Sequence, residues 1–240
     1  MILENKVALV TGSAKRTGKA IALALAKNGA DVVVHYNKSK KEASETAECI
    51  RKLGRNSISV KADLRNIKEV NAMFKTVVKK FKKIDILINN VGNFIFKDIG
   101  KLSSDEWHFL LDTTLNSTYH CCMAVLPYMR KQKYGRIINM ADSMADRIQA
   151  SIPLAPYMIG KTGVLILTYT LASAEGEHNI NVNAVSPGPI FNTIVKPKDK
   201  PPKGRYAAYD DITNAILFLL DTKSDYITGA NLKVSGGWRA

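Results

Sequence analysis

The chain has 240 residues, of which 46% are hydrophobic and 23% charged; that suits one α/β domain with a large core, residues 1–240, and is short for two. No run approaches the ~18 apolar residues of a membrane span, and Met1 to Lys6 lead into the first strand without a signal-peptide pattern, so we expect a cytoplasmic protein with no membrane partner. The formal net charge of +14 could draw nucleic acid, but the cations gather in Lys38 to Lys41, Lys75 to Lys83, Arg130 to Arg136 and Lys196 to Arg205 with only Phe81 and Tyr134 among them and no nucleic-acid motif, which suits solvated surface and no nucleic-acid partner.

Val7 to Val10 is a short apolar run that breaks at Thr11-Gly12 and resumes as a helical pattern from about Thr17, closed by Gly29. A strand buried on both faces, a tight turn and a covering helix follow from that pattern. Strands are then expected at Asp31 to Tyr36, Ser57 to Lys61, Ile84 to Asn89, Gly135 to Met140, Ile180 to Val185 and Asn231 to Val234. Helical patterns separate them, at Ser39 to Leu53, Asn66 to Phe81, Ser103 to Met129, Pro156 to Glu175 and Asp210 to Leu220. Such alternation predicts α/β architecture: a single doubly wound parallel sheet of about seven strands, helices on both faces, and a ligand at the carboxyl ends of the strands. Residues 190–208, with Pro201-Pro202 and many lysines, read as a short basic loop on the substrate side.

The turn from Gly12 to Gly18 aims backbone N–H groups and the positive end of a helix at one point, where a pyrophosphate can sit. Cys49, Cys121 and Cys122 form no C-x-x-C pair and the four histidines show no ligand spacing, so no metal is expected.

Thr11-Gly12 to Gly18, Asn89-Asn90-Val91-Gly92, Asn116, Tyr157-x-x-x-Lys161 and Ser186-Pro187-Gly188 occur in that order, and with them the chain resembles the short-chain dehydrogenase/reductase family over essentially its whole length. The resemblance implies a nicotinamide-dependent oxidoreductase with a single Rossmann-type fold, often a homotetramer. Val164 to Leu167 are four consecutive apolar residues on one helix, which suits either an assembly contact or a deeply buried helix.

Carried over residue by residue, the resemblance implies a cofactor site made by Gly12, Ser13, Lys15, Arg16, Thr17 and Gly18, by Asn90, Val91 and Gly92, and by Pro187, Gly188 and Ile190. Thr193 or Asn192 is then expected to bond the nicotinamide carboxamide. Sites that prefer NAD carry a carboxylate at the end of the second strand. Here that place reads His35-Tyr36-Asn37-Lys38-Ser39, so Lys38 and Ser39 are expected to meet a 2′-phosphate, and NADP(H) is the expected cofactor, with His35 and Asn37 in the same site. Asp63, followed by Leu64, stands where the family contacts adenine, or else caps the next helix.

Tyr157 and Lys161, at i and i+4, share a helix face, so the ammonium can stabilise the phenol's anion and Tyr157 can donate a proton. The resemblance gives Asn116 the support of a water beside Lys161. At the end of the fifth strand, the serine usual in the family is replaced by Asp142 when counted from Asn139, with Ser143 one place later as the other candidate.

Arg16, Phe94 five residues after Asn89, and Asp142 together resemble the pteridine reductases within the family. A flat pterin would stack on Phe94 and offer N–H donors to a carboxylate, whereas a ketone wants a donor there. The expected substrate is therefore a small molecule, a pteridine or dihydropterin. The chain resembles 3-oxoacyl-acyl-carrier-protein reductases equally well over much of its length, and the basic loop would suit a substrate bound to an acyl carrier protein. An NADP-binding regulator without catalysis is the alternative from another class.

Overall fold

The computed structural model describes residues 1–193, 195, 197 and 199–238. Seven strands form one wholly parallel sheet: β1 (Val7–Val10), β2 (Asp31–Tyr36), β3 (Ser57–Lys61), β4 (Ile86–Asn89), β5 (Gly135–Met140), β6 (Ile180–Pro187) and β7 (Asn231–Val234). Their spatial order is β3-β2-β1-β4-β5-β6-β7, so the direction of winding reverses between β1 and β4. Loops leaving those two strands diverge to opposite sides and open a crevice at their carboxyl ends.

Helices α1 (Arg16–Lys27), α2 (Lys40–Lys52) and α7 (Tyr209–Leu220) cover one face, where Val10, Val32, Val34, Ile86, Ile88 and Ile138 meet Ile21, Leu25, Ala47, Ile50 and Ile216. Helices α3 (Ile67–Phe81), α5 (Ser117–Gln132) and α6 (Ala155–Glu175) cover the other, where Leu9, Val33, Leu87, Ile137 and Val182 meet Phe74, Val77, Val125, Met129 and Leu171. Both faces of the central strands are buried, which is why they read as unbroken apolar runs. Among the described residues no helix is long and apolar enough to cross a membrane.

Three expectations are adjusted. β4 starts at Ile86 rather than Ile84, because Asp85 turns its carboxylate back to accept the Val7 N–H at 2.8 Å. β6 runs two residues further, to Pro187. The long helical region breaks into α4 (Ser104–Leu111), a π-helical turn over Asp112–Asn116, and α5. Hydroxyls crowd that turn: Thr113 donates to Phe109 O at 2.7 Å, Ser117 to Thr113 O at 2.9 Å and Thr118 to Thr114 O at 2.8 Å. Such back-bonding competes with the regular ladder and widens a turn.

α6 is not buried all round. Val164 and Leu165 are within 2% of full burial, while Ile166 is 60% exposed, and Ile159 and Tyr169 are also exposed. The deeply buried helix is therefore excluded for the single chain.

Candidate active site

A cleft of about 840 Å³ opens at the carboxyl ends of the strands. Gly12, Lys15, Arg16, Thr17 and Gly18 line one wall, Asn90 to Phe94 the floor, and Asp142, Ser143, Tyr157, Gly188, Ile190, Asn192 and Thr193 the rest. The glycine turn is folded very tightly: a Cβ on Gly18 would lie 2.3 Å from Gly12 O. Thr11 ties this turn to the neighbouring loop by accepting from the Asn90 N–H at 2.8 Å and the Val91 N–H at 3.1 Å. Arg16 sits in the left-handed region at φ +55° and donates across the cleft to Asn192 O at 2.8 Å, joining two lips far apart in sequence.

The bare backbone of this turn, the start of α1 and the cations Lys15 and Arg16 form a donor set that fits the pyrophosphate of a dinucleotide. Three expected contacts lie elsewhere. His35 is 2% exposed and faces inward: its Nδ1 accepts from the Gly12 N–H at 2.9 Å and its Nε2 donates to Ala62 O at 3.0 Å. Burial holds it neutral and lowers its pKa to about 4. It braces the turn from behind. Ser13 is likewise fully buried, donating to Val10 O and accepting from the His35 N–H, so its side chain also belongs to the scaffold. Leu64 is 5% exposed and packs in the core.

Past the ends of β2 and β3, Asn37 and Lys38 are exposed and Ser39 is half-buried, its hydroxyl not spent on capping α2. Asp63 does not cap α3; Asn66 does, accepting from the Lys68 N–H at 3.0 Å. The Arg65 guanidinium grips the Asp63 carboxylate at 2.6 Å and, with help from Asn37, holds its pKa at about 2.

At the centre of the cleft, Tyr157 Oη donates to Asp142 Oδ2 at 3.0 Å, and Asp142 Oδ1 accepts from the Met144 N–H at 2.9 Å. Asp142, not Ser143, therefore meets the tyrosine. Ser143 is 1% exposed, and its N–H donates to Pro187 O. Burial first, and then the Asp142 carboxylate, push the Tyr157 phenol well above its ordinary range. Lys161 Nζ lies 5.9 Å from the Tyr157 ring centroid and donates to Met140 O at 2.5 Å; burial lowers its pKa to about 8, against the pull of Asp142. Phe94 packs edge-on against Tyr157 with centroids 5.2 Å apart.

Asn116 is not brought to this cluster. It is exposed and donates to Asp112 Oδ1 at 2.7 Å, because the π turn rotates it outward. Thr114, two residues earlier, is fully buried beside Gly160 of α6. No feature of the sequence marks a π turn, so this residue was not legible there. The basic loop is also less open than its composition suggests: Arg205 is clamped by Asp211 at 2.6 Å, and Lys203 N–H donates to Gly236 O at 3.0 Å. Lys196 and Lys198 lie outside the described residues.

Beneath the site runs a buried amide ladder. Asn89 Nδ2 donates to Asn139 Oδ1 at 2.9 Å, and Asn139 Nδ2 to Thr168 Oγ1 on α6 at 2.9 Å. It connects the ends of β4 and β5 to the helix that carries Tyr157 and Lys161.

A family model described as enoyl-(acyl carrier protein) reductase matches residues 12–239. Among curated relatives, a 3-oxoacyl-[acyl-carrier-protein] reductase FabG of Staphylococcus epidermidis is 36% identical, covering 97% of this chain and 98% of its own. A 2-dehydro-3-deoxy-D-gluconate 5-dehydrogenase of Escherichia coli is 34% identical, covering 99% and 97%. Among solved structures, a short chain dehydrogenase from Burkholderia cenocepacia in complex with NADP superposes with a TM-score of 0.91 at 28% identity, covering both chains fully. With the parallel sheet, the glycine turn and the Tyr157–Lys161 pair in place, the chain belongs to the short-chain dehydrogenase/reductase family of oxidoreductases.

Proposed function

We propose that this chain is an NADP(H)-dependent reductase whose preferred substrate is a flat nitrogen heterocycle with N–H donors, a dihydropterin, reduced with Tyr157 as proton donor. The observation that carries this reading is the hydrogen bond from the Tyr157 O–H to Asp142 at 3.0 Å. A carbonyl oxygen entering here would face a carboxylate, which repels it and also competes for the tyrosine's proton. A pterin's amino and ring N–H groups reverse the effect: they occupy the carboxylate, release the Tyr157 proton toward the substrate and lie against Phe94.

For the cofactor, the glycine turn, Asn90 and Gly92 would hold the pyrophosphate and its neighbouring riboses, with Lys38 and Ser39 at a 2′-phosphate and Thr193 or Asn192 at the carboxamide. NADPH, when bound, supplies the hydride. Lys161, with its charge kept below about pH 8, steadies the phenolate that Tyr157 leaves after donating. The NADP complex of the Burkholderia neighbour supports the choice of cofactor. The exposed apolar stripe Ile159, Ile166 and Tyr169 on α6 supports a homo-oligomer, which we take to be a tetramer.

A second reading is favoured by the FabG relative: reduction of a 3-oxoacyl thioester carried on an acyl carrier protein. The test is NADPH oxidation by the purified enzyme across a 7,8-dihydropterin, an acetoacetyl thioester and a quinone. Turnover of the thioester with none of the pterin would replace the first reading by the second; cofactor binding with no turnover of any would leave the non-catalytic regulator.

A further inference from the structure

The loop that leaves β6 forms one lip of the cleft, and it is held at two levels. At its base, the Phe191 N–H donates to Ala207 O and the Ala207 N–H to Pro189 O, both at 3.0 Å, so residues 189–191 run beside the segment that enters α7. Nearer the tip, side chains take over. Asn192 Nδ2 donates to the Tyr209 hydroxyl at 2.6 Å, and the Phe191 ring stands edge-on to the Tyr209 ring with centroids 4.9 Å apart.

Tyr209 is the first residue of α7, and that end of the helix is well anchored. Asp211 accepts from the Ala208 N–H at 2.7 Å and grips Arg205, while Ile212 and Ile216 are buried against the sheet. The main chain of the same Asn192 faces the other way: its carbonyl accepts from the Arg16 guanidinium at 2.8 Å. Arg16 belongs to the glycine turn, and both it and Asn192 line the cleft. A chain of polar contacts thus runs from α7 through Tyr209 and Asn192 to Arg16. The Arg16 bond has a charged donor, which strengthens it, but it is exposed, and an exposed bond costs the entropy of ordering both groups unless one is already fixed. Tyr209 does the fixing, because it holds the amide of the residue whose carbonyl Arg16 meets.

We infer that Tyr209 is a positioning residue for the cofactor: by holding the Asn192 amide it fixes the lip where its carbonyl meets Arg16, and the resulting bridge retains a dinucleotide seated on the glycine turn. The bridge starts from the same turn that offers its N–H groups to the pyrophosphate, so a loose lip lets the ligand leave faster. This rests on the reading of the glycine turn as the NADP(H) site.

The test measures release of NADPH from the purified full chain, chasing the bound dinucleotide with excess NADP+ and following its fluorescence. Tyr209→Phe keeps the ring against Phe191 and removes only the acceptor. Its release rate should rise about tenfold, and its association rate should change by less than about threefold, since the bridge acts once the ligand is seated. In turnover, KM for NADPH should rise about fivefold or more with kcat within about twofold of the parent. Arg16→Met should also speed release, and adding Tyr209→Phe to it should change release by less than about twofold, because the bridge that the tyrosine serves is already gone. The Tm of ligand-free Tyr209→Phe should stay within about 2 °C of the parent. Parent-like release from Tyr209→Phe would overturn the inference, and so would an equal acceleration with and without Arg16. A larger fall in Tm would make the tyrosine a support of the fold and overturn it as well. If the parent binds NADPH and Tyr209→Phe releases it as the parent does, only the role of Tyr209 fails; if the parent does not bind NADPH, the reading beneath it fails.

Discussion

Protonation of His35 should unlatch the cofactor turn, and the cost follows from the structure. Nδ1 accepts from the Gly12 N–H, so the ring's proton must sit on Nε2, where it donates to Ala62 O. A second proton on Nδ1 would point at the Gly12 N–H with no acceptor between them. The folded pKa is about 4 against 6.5 for the free side chain. Above pH 6.5 the ring is neutral in both states and contributes no pH dependence; below it, the unfolded chain takes up the proton and stability falls until about pH 4. The full gap corresponds to about 3 kcal/mol, of which about 2 kcal/mol is lost by pH 5. His35→Asn keeps an acceptor for Gly12 and cannot titrate. Urea unfolding followed by tryptophan fluorescence at pH 7 and pH 5 should therefore show the parent losing about 2 kcal/mol more than His35→Asn over that interval. Equal losses in the two proteins would refute the argument, because every other titrating group is common to both.

Three further outcomes are expected. Asp142→Ser should lower kcat/KM for a dihydropterin by at least about 100-fold and raise it for an acetoacetyl thioester, since a hydroxyl donates where the carboxylate only accepts; unchanged pterin turnover would count against the proposed substrate. Lys38→Glu should raise KM for NADPH by about tenfold or more and bring NADH closer to it, and an unchanged NADPH/NADH ratio of kcat/KM would remove Lys38 from the 2′-phosphate site. Gly18→Ala should abolish NADPH binding measured by fluorescence, because its Cβ would lie 2.3 Å from Gly12 O and force the turn open; retained affinity would show that the turn yields.

The parallel sheet was legible because strands buried on both faces give continuous apolar runs, and glycine-marked breaks separate them from amphipathic helices. Parity within β2 also carries the position of His35: it shares the face of Val33, which packs in the core opposite to Val32 and Val34. The place of Asp142 followed from counting along from Asn139 in the family pattern. Thr114 did not follow, because a π turn moves every later side chain around the helix axis while leaving composition unchanged. The bond from Arg16 to Asn192 was equally hidden, since the partner's atom is a backbone carbonyl and any residue type supplies one.

The amide ladder answers a question of alignment that the apolar runs leave open. Ile86, Leu87 and Ile88 on β4 lie beside Arg136, Ile137 and Ile138 on β5, and apart from Arg136 a shift of one residue would exchange one aliphatic side chain for another at little cost. Asn89 and Asn139 are direct partners in that pairing and cannot shift: each would lose a buried hydrogen bond, and Thr168 would lose its donor. One amide pair thus sets the phase of two strands against each other. Asp142 stands three residues beyond one member and Gly92 three beyond the other, so the spacing between the carboxylate and the floor of the cleft is measured out from this pair.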